Sequence, residues 1–168
     1  MIEDEIFDYF SKNPFNNEKY PIFMSDCEDE GCKLNGNFNH YIILNGDHIV
    51  KCLKNNEKSA DRIIFTKRAP NNKVDVLLCE LTTGSKRYFD VEDKIIHSGE
   101  YILGVLEKLG FTVRNFDCIF LGEYKNSNRL NKSRTFSIPG FWRNDLKIQD
   151  FSCGHNISDI PNLNIRVY

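Results

Sequence analysis

Residues 74–121 contain an apolar run, a long helical stripe and a second apolar run, and this order dictates how the chain must cross over. Ile95, Gly99, Ile102, Leu106 and Leu109 recur at helical spacing, and Ile96 and Leu103 widen the stripe. The pattern begins near Val91 and stops at Gly110, a residue suited to the left-handed position past a helix end. The runs on either side, Val74–Thr82 and Cys118–Leu121, read as strands. A helix of this length carries the chain back along the first strand, so the second strand is expected to lie parallel in the same sheet.

Upstream the pattern changes. Tyr41–Leu44 and His48–Leu53 flank Asn45-Gly46-Asp47, which predicts a hairpin. A further strand is expected over 61–66, joined to 74–82 through the turn residues Ala69-Pro70-Asn71-Asn72. Residues 2–12 form a short amphipathic helix pattern with Ile2, Ile6, Phe7 and Phe10 on one face, and 13–39 read mostly as loop. The expected fold class is α+β, an α/β sandwich with a mixed central sheet of about four to six strands flanked by helices. The chain reads as a single domain over 1–168: a core over about 40–122, an N-terminal helix and loop over 1–39, and a C-terminal extension over 123–168.

A net charge of −2 removes any whole-chain attraction to nucleic acid, so such binding needs a local patch. No apolar run reaches the length of a membrane span, and Met1-Ile2-Glu3-Asp4-Glu5 lacks a signal peptide's basic start. The expected setting is cytoplasmic, without a membrane partner and with reduced cysteines. Cys52, Cys79 and Cys118 lie in apolar runs and read as buried small hydrophobes. Cys27, Cys32, Cys153 and His155 are four donors of the type that holds structural Zn²⁺, although Cys-x4-Cys with Cys-x-His is no standard knuckle. Unliganded loop cysteines are the alternative.

The strands carry two acids. Asp61 opens the run Asp61-Arg62-Ile63-Ile64-Phe65, and Glu80 sits among Leu77, Leu78, Cys79 and Leu81. A carboxylate in so apolar a strand is costly unless paired or metal-bound. A hairpin of the two strands could set Asp61 beside Glu80 at one end of the sheet, where two carboxylates can hold Mg²⁺ or Mn²⁺, although the sequence does not fix the register. Arg62, Lys51 or Arg87 as a plain ion-pair partner of Glu80 is the rival reading.

With Asp61 at the start of one strand, Glu80-Leu81-Thr82 on the next, and a helix and strand to follow, the chain resembles the PD-(D/E)xK, restriction-endonuclease-like nucleases over residues 40–122. The resemblance implies a core of helix, three antiparallel strands, helix and strand. It also implies metal-dependent hydrolysis of DNA or RNA phosphodiesters, often in microbial defence or mobile elements, with Asp61 and Glu80 as metal ligands. The departure is Thr82, which stands where the family carries lysine. Lys94, at the start of the following helix, is the expected substitute catalytic residue, with Ser98 and Tyr101 lining the site. Lys51 is a second candidate, and Glu3, Glu5 or Glu57 could add a further acid. A relative that has lost catalysis and serves as a nucleic-acid- or protein-binding subunit fits the same letters.

Lys125, Arg129, Lys132 and Arg134, followed by Phe136, Phe141, Trp142 and Arg143, combine phosphate-binding and stacking residues and form the expected nucleic-acid contact. A solvated loop before a core-packing aromatic cluster is the alternative. His97 reads as a surface residue or as acid–base machinery. The chain has no Gly-rich phosphate loop after a strand and no Gly-x-Ser-x-Gly or His-Glu-x-x-His pattern.

Overall fold

The computed structural model describes residues 2–54, 57–125 and 134–165. Helix α1 (Ile2–Phe10) is followed by three short strands, β1 (Phe23–Met24), β2 (Cys27–Asp29) and β3 (Cys32–Leu34). Then come β4 (Tyr41–Asn45), α2 (Gly46–Leu53), β5 (Arg62–Thr66) and β6 (Lys73–Lys86). The long helix α3 (Tyr88–Lys108) leads to β7 (Thr112–Tyr124), and β8 (Ile148–Phe151) closes the main sheet. The order across that six-stranded sheet is β1-β4-β5-β6-β7-β8, and β2 and β3 form a separate hairpin. The β4–β5 and β5–β6 pairs are antiparallel, whereas β6–β7 and β7–β8 are parallel. The mixed α+β architecture expected from the pattern is therefore present, and α3 is its crossover.

Alternation along the strands splits the core in two. Ile63 and Phe65 of β5 and Val74, Val76 and Leu78 of β6 face a layer made by α1 and α3, which contributes Ile6, Phe10, Val91, Ile95, Ile102 and Leu106. Ile64, Leu77 and Cys79 face the other way, under Cys27, Cys32 and Leu34 of the hairpin and Ile157, Ile160 and Ile165 of the C-terminal segment. Gly110, at φ +87°, ends the helix as its sequence position implied. No helix among the described residues is long and apolar enough to cross a membrane.

Three expectations change. The Asn45-Gly46 pair does not turn a hairpin; it starts α2. Asn45 caps the helix by accepting a hydrogen bond from the His48 amide at 3.1 Å. Ile49 and Cys52, read as strand residues, are buried at helical spacing instead. Glycine at 46 is required by crowding, since a Cβ there would stand 1.9 Å from the Ala60 carbonyl oxygen. Residues 13–39 are mostly loop, as read, but include three short strands that the pattern did not anticipate.

The cysteine reading also changes. Cys32 and Cys153 form a disulfide with Cα atoms 5.0 Å apart, so neither is a reduced thiol or a zinc ligand. Cys27 is buried with its sulfur 3.8 Å from that of Cys79, and His155 stacks on Phe151 with ring centroids 4.3 Å apart. With Cys32 and Cys153 joined to each other, the four donors do not form a zinc site. Cys52, Cys79 and Cys118 are buried free cysteines, as expected.

Because the Gly46 amide also donates to the Asp61 carbonyl at 3.0 Å, α2 is fixed to the entry of β5 at a point with no room for a methyl group. Gly46→Ala is expected to destabilise the fold by about 1–3 kcal/mol, the range for overpacking. Urea denaturation should show this as a lower midpoint at unchanged slope.

Candidate functional site

The β5–β6 register pairs Arg62 with Cys79, which sets Asp61 and Glu80 opposite one another one step beyond. Both residues are buried, Asp61 at 3% exposure and Glu80 at 0%. Backbone and side chains cross-link the pair. The Asp61 amide donates to Glu80 Oε1 at 3.1 Å, and the Leu81 amide donates to Asp61 Oδ2 at 2.8 Å.

The lysine missing from the triplet is replaced twice. Lys94 Nζ lies 3.0 Å from Glu80 Oε2, reaching down from the second turn of α3. Lys86 Nζ donates to the same oxygen at 2.8 Å. Lys86 went unrecognised because β6 was expected to stop at Thr82. The strand instead runs on past a register shift between Leu81 and Ser85 and brings a second lysine back to the acid. Thr82 itself accepts from the Gly84 amide at 3.1 Å, holding that bend.

Glu80 takes neither Arg62, Lys51 nor Arg87 as a partner. Arg62 is buried on the opposite face. It donates to the Asp61 carbonyl at 2.7 Å and to the Glu28 carbonyl, and stands 3.7 Å from Asp29. Lys51 belongs to α2 and lies 5.6 Å from the centre of the Tyr20 ring.

The acids that gather on Asp61 are Asp29, at the end of β2, and Asp47, in the first turn of α2. Each of the three offers a carboxylate oxygen, all within 4.8 Å of one another. Glu80 does not belong to this set; its oxygens already accept from the Asp61 amide and two ammonium groups. Asp61, expected to share a cation with Glu80, stands with Asp29 and Asp47 as the acids whose geometry could hold one. Oxygen-only donors suit Mg²⁺ or Mn²⁺. Octahedral Mg²⁺ with ligands about 2.0–2.1 Å away sets neighbouring oxygens about 2.9 Å and opposite ones about 4 Å apart, so the three carboxylates would have to draw closer to share an ion. Asp29 and Asp47 escaped notice because they lie in segments read as loop and turn.

Burial, then the neighbouring Glu80 charge and hydrogen bond, push the Asp61 carboxyl up to about 8, against a lowering contribution from the Leu81 amide. Asp29 is also raised, by burial foremost and by Asp47 and Glu30, with Arg62 opposing. Burial would raise Glu80 too, but the hydrogen bonds from Asp61 and Lys86 and the charges of Lys86 and Lys94 outweigh it and hold the group below its usual range. For Lys94, burial acts downward and is overcome by Glu80, leaving the ammonium harder to deprotonate than usual.

A cavity of about 490 Å³ opens beside these lysines, lined by Lys58, Ser85, Lys86, Arg87, Asp90, Lys94 and Lys125. Lys125 is the one expected phosphate contact that reaches it. Arg134 instead pairs with Glu92 at 3.0 Å and lies over the Phe89 ring, while Arg129 and Lys132 fall outside the described residues. Ser98 is buried and donates to the Lys94 and Ile95 carbonyls, and Tyr101 packs towards Tyr9, so neither lines the site. Glu3 pairs with Lys67 at the far end of β5, roughly 20 Å along the strand from Asp61. Glu5 lines a separate cavity with Lys67 and Arg68. His97 lies against Asp93 on the exposed side of α3.

No family model matches this chain, and neither a curated protein nor a solved structure matches it.

The raised Asp61 group sets the sign of a pH effect. The folded chain keeps a proton that an unfolded Asp releases near pH 4, so the associated stability is full below that pH and is lost as pH rises through about 8. Glu80, lowered, contributes in the opposite sense and only at acid pH. Metal-free protein should therefore show a urea midpoint that falls between pH 5 and 9, and Asp61→Asn should flatten that fall. Since a bound cation needs the carboxylate, Mn²⁺ affinity measured by calorimetry should climb over the same interval, with proton release, and drop in Asp61→Asn.

Proposed function

We propose that this chain is a divalent-cation-dependent nuclease that hydrolyses phosphodiester bonds of DNA or RNA, a divergent PD-(D/E)xK-type protein. The observation that carries the reading is Lys94 on Glu80, across from Asp61. An ammonium supplied by the helix stands where the triplet lacks its own, and Lys86 adds another. The helix, antiparallel strands, crossover helix and parallel strand run in the order that the resemblance implies.

In this reading Asp61, Asp29 and Asp47 hold Mg²⁺ or Mn²⁺. When bound, such a cation neutralises phosphate charge and makes hydroxide available near neutral pH. Glu80 keeps two ammonium groups at fixed positions in a largely buried site, where a cation stabilises developing negative charge more than in water. Lys94, with its pKa raised, acts as a hydrogen-bond donor and positive charge and not as a base. The expected cytoplasmic setting and a role in microbial defence or a mobile element belong to the same proposal. In that compartment the Cys32–Cys153 bond is open to reduction.

One observation favours a second reading, a catalytically inactive nuclease-like subunit that binds nucleic acid or protein. Both Glu80 oxygens already accept from protein donors, leaving that acid saturated.

Incubation of purified protein with plasmid, linear DNA and RNA in Mg²⁺, Mn²⁺ or EDTA separates the two. The nuclease reading expects cleavage that EDTA abolishes and that Asp61→Ala lowers by about 100-fold or more, a barrier increase of about 2.7 kcal/mol. Cleavage unchanged in Asp61→Ala would mark a contaminant. Metal-independent binding with no cleavage would leave the binding subunit.

A further inference from the structure

The cavity beside Glu80 gathers five cationic side chains at one place. Lys58, Lys86, Arg87, Lys94 and Lys125 line it against Asp90 alone. Counting also Glu80 and Asp93, which pair with three of those lysines, the cations still outnumber the acids five to three. Arg87 and Lys125 have no ion-pair partner among the described residues. The Lys125 amide donates to the Lys86 carbonyl at 2.8 Å, which fixes the ends of β6 and β7 together at the cavity wall. Several basic side chains elsewhere are held in ion pairs: Arg114 on Asp75, Arg143 on Asp145, Arg134 on Glu92, Lys67 on Glu3 and Lys12 on Asp8.

That distribution discriminates between ligands. A strand bound along its length carries one charge per phosphate and needs cations spread along a track. A phosphomonoester at a strand end carries close to two charges on three acceptor oxygens at one point, which suits a compact pocket of lysine and arginine. The volume of about 490 Å³ lies within the range of pockets that enclose a small ligand group.

We infer that the Lys58–Arg87–Lys125 cavity seats the terminal phosphate of a nucleic-acid strand, making the protein a reader of phosphorylated ends. This rests on the nucleic-acid reading above but not on catalysis. Lys86 and Lys94 belong to both sites, since their ammonium groups touch Glu80 and their side chains line the cavity. An end held there lies one lysine side chain away from the buried acids.

The test is fluorescence anisotropy in EDTA, with labelled single- and double-stranded oligonucleotides bearing a 5′-phosphate, a 3′-phosphate or neither. Adenosine 5′-monophosphate serves as competitor. The expected result is binding at least about tenfold tighter for one phosphorylated end, the equivalent of one or two charge-assisted hydrogen bonds. Arg87→Ala and Lys125→Ala should each lower the affinity for the phosphorylated end more than that for unphosphorylated strands. Equal affinity for all three ends overturns the inference, as does a preference that survives the Arg87→Ala/Lys125→Ala double variant. Mononucleotide binding as tight as that of the phosphorylated strand also overturns it, assigning the cavity to a free nucleotide. End-dependent binding without any cleavage would retire the nuclease reading and leave this one standing.

Discussion

A carboxylate with no solvent exposure, held by two ammonium groups, is the interaction on which this end of the molecule depends. Glu80 sits in the middle of the sheet's longest strand, and its desolvation must be offset by close partners. Lys86 comes from the same strand and Lys94 from the helix packed above it. The ion triplet therefore clamps α3 to β6 at the end where β5 begins. Losing one lysine leaves the acid a partner; losing the acid leaves two cations without the counter-ion they share. Asp61 is drawn into this arrangement through backbone amides that run in both directions between the two strands. The neighbouring acids Asp29 and Asp47 then meet Asp61 from outside the main sheet.

The layered architecture was legible because it follows from periodicity. The stripe from Ile95 to Leu106 could only be a helix, and its length set the parallel crossover. The acids were legible too, since a charged residue amid Leu77, Leu78, Cys79 and Leu81 signals a partner or a ligand. What failed were places where short-range chemistry has two outcomes. Asn45-Gly46 is as good a helix start as a hairpin turn, and the choice was made by the crowding of Gly46 against Ala60, a contact between segments that pattern alone does not bring together. Asp29 and Asp47 lay in stretches without periodicity, so nothing local tied them to Asp61. The disulfide between Cys32 and Cys153 spans 121 residues, far beyond any spacing rule.

Charge followed the same division. A net charge of −2 spoke against a nucleic-acid partner, yet averages hide position. Ion pairs take up basic residues such as Arg114 and Lys67, while five cations line the cavity at the junction of β6, α3 and β7. The basic stretch beginning at Lys125 drew notice for its composition. Within it, Arg134 is taken up by Glu92 and Phe89, and Lys125 reaches the cavity because β7 ends beside Lys86.

The bend after Leu81 has a further meaning for how this site is altered or compared. It uncouples the rank of a residue in the chain from its place in space: the residue two after Glu80 holds a turn, and the residue six after it holds the acid. Judged by its triplet, the protein looks depleted; judged by the environment of Glu80, it is oversupplied. A substitution at position 82 therefore acts on the bend, through the hydroxyl that accepts from the Gly84 amide, while the cations that neutralise Glu80 come from positions 86 and 94.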